Sequence, residues 1–334
     1  MRGKRRNSPE LPDASAGTPE ERRERARQDF TFFRRAYFPH YCLVGGDSRL
    51  HEWLDAELPR MADAPEGVRL AIAAPRGEAK STFVSLFFVL WAVLTGRKHY
   101  ILIIADALEQ AVSLLGAVKD ELEFNEALKR DFPGAGKGHV WNVGTVVTPG
   151  NVKIQALGAG KRMRGLRHGP HRPDLIVLDD LENDGNVDKP EQRDKLQSWL
   201  QKTVLNLGAA DGSMDVVYVG TLLHYDSVLA RTLRKPLWKA RTFRSILRWP
   251  DRMDLWDEWE SLLSSRGEAE ARRFYRQHRA KMEAGAEVSW PASRPLYRLM
   301  CLRVEDREAF DSEQQNDPLS ANEAPFNGCI TFWV

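Results

Sequence analysis

The sequence predicts an α/β protein in which a mostly parallel central sheet is flanked by helices. Three observations lead there. Apolar runs at residues 68–74, 100–105, 152–157, 175–178 and 216–219 alternate with helical patterns at 81–94, 108–129 and 190–205. Such alternation is the signature of strands connected through helices on both faces of one sheet. A glycine-containing loop joins the first run to the first helix, and two carboxylates follow the run at 175–178.

Each element has a local reason. Residues 1–17 mix Arg, Lys, Pro, Ser and Ala and read as a flexible basic arm. At Thr18 a helix begins, with Thr18 as cap, Pro19 in the first turn and Glu21 completing a capping box. It is expected to continue through the aromatic cluster Phe30, Phe32, Phe33, Tyr37 and Phe38 until Pro39 stops it. A second helix starts at Asp47, with Leu50, Leu54, Leu58 and Met61 on one face. Residues 18–66 thus form an N-terminal helical segment, part of a lid, and residues 67–248 the core. Beyond it, 255–283 is charged and helical with Trp256, Trp259, Leu262 and Leu263 as its apolar side, whereas 285–334 shows little periodicity. Residues 249–334 are expected to form a helical lid or linker.

Composition narrows the class. With 42% hydrophobic and 29% charged residues the chain is globular, and a net charge of only +2 leaves any nucleic-acid surface to local clustering of Lys and Arg. Cys42, Cys301 and Cys329 lie too far apart for a metal or redox motif. No apolar segment follows the basic N-terminus, and the longest apolar run, 83–94, falls short of the ~20 residues a bilayer requires. A soluble, intracellular protein that makes no use of a membrane is expected.

The strongest local signal is Pro75-Arg76-Gly77-Glu78-Ala79-Lys80-Ser81-Thr82, which follows a buried strand and opens an apolar helix. Backbone N–H groups and a helix N-terminus at such a place suit a polyphosphate. Lys80 would reach the β- and γ-phosphates and the Ser81 hydroxyl would ligate Mg²⁺. Ala74 and Ala79 stand where the usual pattern has glycine, leaving only Gly77 with free backbone geometry. A plain strand–turn–helix with a solvated lysine is the competing reading.

The partner is Asp174-Leu175-Ile176-Val177-Leu178-Asp179-Asp180, a buried strand whose two carboxylates emerge at its C-terminal end, where ligand chemistry sits in open α/β sheets. Asp179 fits a Mg²⁺-holding role, and Asp180 fits the orientation and deprotonation of an attacking water. Glu182 is an alternative base. Together the two motifs indicate a P-loop NTPase that uses ATP and Mg²⁺.

Three further stretches are Lys161-Arg162-Met163-Arg164-Gly165-Leu166-Arg167-His168-Gly169-Pro170-His171-Arg172-Pro173, Val219-Gly220-Thr221-Leu222-Leu223-His224-Tyr225-Asp226, and residues 310–319 with Gln314-Gln315-Asn316-Asp317-Pro318. In their order, with the phosphate loop and the acidic strand, they resemble the large terminase subunit of tailed bacteriophages over roughly residues 50–318. The resemblance implies a DNA-packaging ATPase that moves double-stranded viral DNA into a procapsid. Its implied partners are a portal protein, a small terminase subunit and further copies of itself in a ring, the isolated chain being monomeric; its place is the bacterial cytoplasm. It also implies residue roles. Arg76 is the loop arginine that senses the γ-phosphate, Gly220-Thr221 the coupling motif, and His51 stands where an adenine-contacting residue is often found. On the residues alone, Thr221 reads as a strand-terminal turn and His51 as a helix-surface histidine.

Arg162, Arg164 and Arg167 lie in a run without acidic residues. An arginine finger acting in trans (Arg164 is our candidate), a DNA-phosphate contact and a solvated basic loop all remain open. Residues 231–248, with Arg231, Arg234, Lys235, Lys239, Arg241, Arg244 and Arg248, suit either a DNA path or an edge strand with a charged face. The resemblance places nuclease carboxylates beyond the Gln-Asn-Asp-Pro stretch, and too few acidic residues follow here to hold two metals. ATPase activity without DNA cleavage is therefore expected, with the nuclease on a separate or removed segment and Phe332 and Trp333 packing against it. The rival readings are a helicase-like or repair ATPase and a decayed scaffold that binds DNA or protein.

Overall fold

A computed structural model describes residues 16–318 of the chain. Most of the expected arm, Cys329, Phe332 and Trp333 lie outside the described residues.

Eight strands form the central sheet: β1 Arg69–Ala73, β2 Tyr100–Ala105, β3 Val140–Trp141, β4 Thr145–Val147, β5 Lys153–Gly158, β6 Leu175–Asp179, β7 Asp215–Gly220 and β8 Lys239–Thr242. Their order is β3-β4-β5-β2-β6-β7-β1-β8. From β5 to β8 every pairing is parallel, and β3 and β4 add an antiparallel edge. The expected α/β architecture is therefore present, with each long strand within a residue or two of its anticipated place.

Successive side chains on a strand point to opposite faces, so a strand buried on both sides feeds two cores. Leu70, Ile72, Ile101, Ile103, Leu175, Val177, Val217 and Val219 join the core under the helix that follows the phosphate loop. Ala71, Ala73, Leu102, Ile104, Ile176, Leu178, Val216 and Tyr218 join the core on the opposite face, with Leu200, Val228 and Leu229 from the helices there. A third apolar cluster gathers Ile246, Trp256, Trp259, Ala271, Tyr275, Leu299 and Phe310 around the C-terminal helices.

Several boundaries differ from expectation, each for a local reason. The first helix is two, Pro19–Gln28 and Phe30–Tyr37, because the Asp29 side chain accepts from Phe32 N and caps a new start. Asn125 does the same between Leu108–Phe124 and Glu126–Asp131. The charged C-terminal helix is divided into Met253–Arg266 and Glu268–Met282 by Gly267, whose φ of 85° breaks the helical path. The stretch read as aperiodic contains two helices, Leu296–Glu305 and Arg307–Gln315, the second capped by Asp306.

The N-terminal helices carry their aromatic residues into the core, where Phe30 meets Phe88 and Trp91, and Phe33 and Tyr37 meet Phe132. Arg34, almost fully buried, pairs with Asp47 and Asp55 at 2.6 Å each and ties Phe30–Tyr37 to the helix Arg49–Ala62. Among the described residues no helix is long and apolar enough to cross a membrane.

Candidate nucleotide site

The strand order places β7 between β6 and β1, so the chain segments leaving all three strands meet at one end of the sheet. The phosphate loop leaves β1, Asp180 leaves β6 and Thr221 leaves β7. Ala74 N donates to Gly220 O at 2.9 Å, and the Thr221 hydroxyl donates to Ala74 O at 3.2 Å, which stitches two of these exits together.

Lys80 points into this junction with its side chain 8% exposed. Its Nζ lies 3.2 Å from Asp180 Oδ2 and 3.3 Å from Thr221 Oγ1. Asp179 is fully buried and faces the helix that follows the loop. It accepts from Ser81 Oγ at 2.9 Å and from the Ser85 hydroxyl. No motif marks Ser85 in the sequence; four positions beyond Ser81, it shares the same helix face.

Asp180 would point to the other side of the sheet if β6 continued. Instead its φ of 46° takes the left-handed conformation, which Asp tolerates better than most residues, and the carboxylate reaches Lys80. Local strain of this kind costs on the order of 1 kcal/mol and concentrates at functional sites.

Burial, reinforced by the neighbouring Asp180 carboxylate, pushes the Asp179 carboxyl up to about 6; Ser85, Lys80 and Ser81 act against the shift. A divalent cation would oppose it in the same way. Among the described residues there is no cluster of three or more His, Cys, Asp or Glu fit to hold a metal. A hydroxyl beside one carboxylate is the donor set expected of Mg²⁺, which keeps waters and takes its other ligands from phosphates. Ser81 and Asp179 thus fit the ion, and bound there it would supply positive charge to phosphate oxygens.

The loop itself shows what its unusual residues do. Gly77 has φ 79°, and Ala79 adopts φ 57° in spite of its methyl group. The alanine that departs from the usual glycine keeps the loop conformation at a cost of roughly 1–2 kcal/mol. Ala79→Gly is expected to raise the unfolding free energy by about 0.5–1 kcal/mol, after the greater chain entropy of glycine is subtracted; chemical denaturation checks this, and a loss of stability would contradict the reading.

Glu78 turns inward rather than toward a ligand. It is 1% exposed, receives the Ser289 hydroxyl at 3.3 Å, and burial raises its carboxyl pKa. Pro75 is buried, whereas Arg76 is 61% exposed on its side chain and pairs with Glu313 Oε2 at 2.6 Å. Thr82 begins the π-type turns Thr82–Phe88 of the following helix.

Three residues depart from what the sequence alone leads one to expect. His51 is not on the surface: it is 3% exposed, stacks on Phe83 at 4.3 Å and packs edge-on against Trp290. Its Nδ1 accepts from Ser48 N, so Nε2 carries the proton and donates to Glu78 O at 2.9 Å. Both ring nitrogens are used in supporting the phosphate loop from behind, which leaves none for an adenine. Glu182 caps the helix Val228–Leu233, accepting from Val228 N at 2.7 Å and Leu229 N at 3.1 Å, with Tyr218 OH at 3.2 Å. Both its oxygens are thus engaged at the start of that helix, whereas Asp180 stands beside Lys80. Thr221 is no plain turn residue, since its hydroxyl bridges Lys80 and the end of β1.

Arg162, Arg164 and Arg167 are exposed on the segment after β5. In the other basic stretch three of the seven cations are paired with carboxylates: Lys239 with Glu57, Arg231 with Asp226 and Asp194, Arg244 with Asp317. It includes β8, an edge strand whose four residues are all exposed. A cavity of about 260 Å³ lined by Asp106, Glu182, Asn186, Arg193 and Trp199 lies nearby, and none of residues 75–82 lines it.

The Gln-Asn-Asp-Pro stretch acquires a structural role. Asn316 accepts from Leu222 N and donates to Phe243 O, both at 2.8 Å, and Glu313 O accepts from Arg76 N at 2.9 Å. The helix Arg307–Gln315 and the residue after it therefore touch the phosphate loop and the exits of β7 and β8. No sequence signal announced Glu313, because its partner lies more than two hundred residues away.

Solved structures similar to this chain include phage large terminases. The HK97 bacteriophage large terminase is 17% identical with a TM-score of 0.45, the match covering 80% of this chain and 55% of that one. The ATPase domain of the Thermus phage P74-26 large terminase is 15% identical with a TM-score of 0.38, covering 78% and 92%. A Dbp5 of S. cerevisiae bound to Gle1 and IP6 is 13% identical with a TM-score of 0.35, covering 67% and 55%. This chain thus spans about half the length of the HK97 protein. No family model and no curated protein matches it.

Proposed function

We propose that the chain is a Mg²⁺-dependent ATPase that powers translocation of double-stranded DNA into a viral procapsid, as a terminase-type packaging motor. The observation that carries the ATPase reading is the convergence of Lys80, Ser81, Asp179, Asp180 and Thr221 at the ends of three neighbouring strands. Lys80 and the loop amides hold the phosphates, Ser81 and Asp179 hold the ion, and Asp180 orients and deprotonates the attacking water. Thr221, bonded to Lys80, relays the state of the site to β7.

The packaging reading is supported by the ordered sequence landmarks and by the exposed arginines at 162, 164 and 167. In a ring on the portal, with the small terminase subunit presenting DNA, Arg164 would act in the site of a neighbouring copy. Steady-state ATP turnover with and without duplex DNA tests this. Slow Mg²⁺-dependent turnover that duplex DNA stimulates is expected, with the stimulation falling steeply as salt rises. No binding of Mg·ATP at millimolar concentration would end the ATPase reading; turnover indifferent to DNA would end the packaging reading alone.

A further inference from the structure

A second arginine, which no sequence motif indicates, lies on the phosphate loop. Arg294 belongs to the segment before the helix Leu296–Glu305, more than two hundred residues beyond the loop. Its guanidinium rests directly on Gly77: a Cβ built at that glycine would lie 1.9 Å from Arg294 Nη2. Gly77 is thus required twice, for its positive φ and for the room the guanidinium takes.

The partners of this arginine are unusual. Other buried or half-buried arginines are matched by carboxylates, Arg34 by Asp47 and Asp55, Arg193 by Asp226. Among the described residues Arg294 has no carboxylate within ion-pair distance; its Nη1 donates to the neutral amide oxygen of Gln314. Burial holds its pKa below the ordinary arginine value; Glu78 and Glu313 only partly offset this, and the nearby Arg298 adds to it. A half-buried guanidinium is costly without a matching anion, and its planar fork suits phosphate oxygens.

We infer that Arg294 is a phosphate-binding residue that reaches the nucleotide from the C-terminal helical segment and contacts its terminal phosphate across Gly77. The inference rests on the ATPase reading above. It gives that segment its own contact with the nucleotide, next to Gln314 and Glu313, which hold Arg294 and Arg76 on successive residues of one helix. A bound triphosphate would then strengthen the hold of the helix Arg307–Gln315 on the loop, and a diphosphate would not.

The test is a pair of equilibrium affinities, Mg·ATP (as a non-hydrolysable analogue) and Mg·ADP, for the full chain and for Arg294→Gln and Arg294→Lys. Losing a charge-assisted contact to a phosphate is expected to weaken the triphosphate by roughly 10-fold or more. The diphosphate should change less than about 2-fold, and Arg294→Lys should recover part of the difference. Equal loss for both nucleotides, or no loss for either, would overturn the assignment while leaving the ATPase reading intact. An unmodified chain that binds neither nucleotide would overturn both. Should Arg294→Gln fold poorly, the ATP-to-ADP ratio for Arg294→Lys, whose charge is retained, decides the matter: an unchanged ratio there overturns the assignment.

Discussion

Replacing Lys80 by alanine is expected to lower ATP turnover by ~10²–10³-fold, the size of effect found when one preorganised donor to developing charge is removed. The ammonium is almost buried and flanked by the Asp180 carboxylate and the Thr221 hydroxyl, at the C-terminal ends of the parallel strands. No other lysine is bonded to either group among the described residues. The fold should tolerate the change. Asp180 is about one-third exposed, so its loss of a partner is cushioned by water, and stability should move by no more than about 1 kcal/mol. Turnover assays beside denaturation curves separate the two effects. Retained turnover, or collapse of the fold, would each show that Lys80 serves some other purpose.

Asp179→Asn is expected to lower activity and raise stability together. The carboxyl sits at zero exposure with its pKa pushed up to about 6, chiefly by burial and then by Asp180. Because the folded value lies above the unfolded one, the folded state holds the proton more tightly. The stability penalty is therefore absent below the ordinary aspartate range, grows as pH rises toward 6, and is fully present at neutrality. Asparagine carries no charge and escapes it. The metal-free variant should be more stable than the unmodified chain at pH 7 by about 1–3 kcal/mol, with the advantage shrinking toward pH 4. Turnover should fall by ~10²–10³-fold, since the group assigned to the ion and its phosphates has lost its charge. Such opposed effects mark a residue kept for function at the expense of stability. A variant less stable than the unmodified chain at pH 7 would mean that Asp179 is a structural anchor for Ser81 and Ser85.

The sequence disclosed the parts of this protein that depend on local pattern. Five runs of β-branched and aliphatic residues became five parallel strands, since burial on both faces leaves little else such runs can form. The phosphate loop and the acidic pair were legible because each lies where a strand ends, and Lys80, Ser81, Asp179 and Asp180 do meet. Caps within helices were read less well: Asp29 and Asn125 interrupt patterns whose apolar spacing runs on across them. Least legible were long-range contacts. His51 looked like a surface residue because nothing local shows that Phe83 and Trp290 cover it. Glu182 looked like a base because the amides it caps belong to a helix forty-odd residues later. Arg294, Glu313 and Asn316 reach the site only through tertiary packing.

The claim on which the account depends is that one triphosphate and its ion fit between the loop from Pro75 to Ser81 and the end of β6. A structure of the full chain with Mg²⁺ and a non-hydrolysable ATP analogue tests it most directly. Phosphates are expected against Lys80 and Gly77, with the ion between Ser81 and Asp179. Nucleotide seated instead in the cavity lined by Asp106, Arg193 and Trp199, or an ion held away from Asp179, would contradict it.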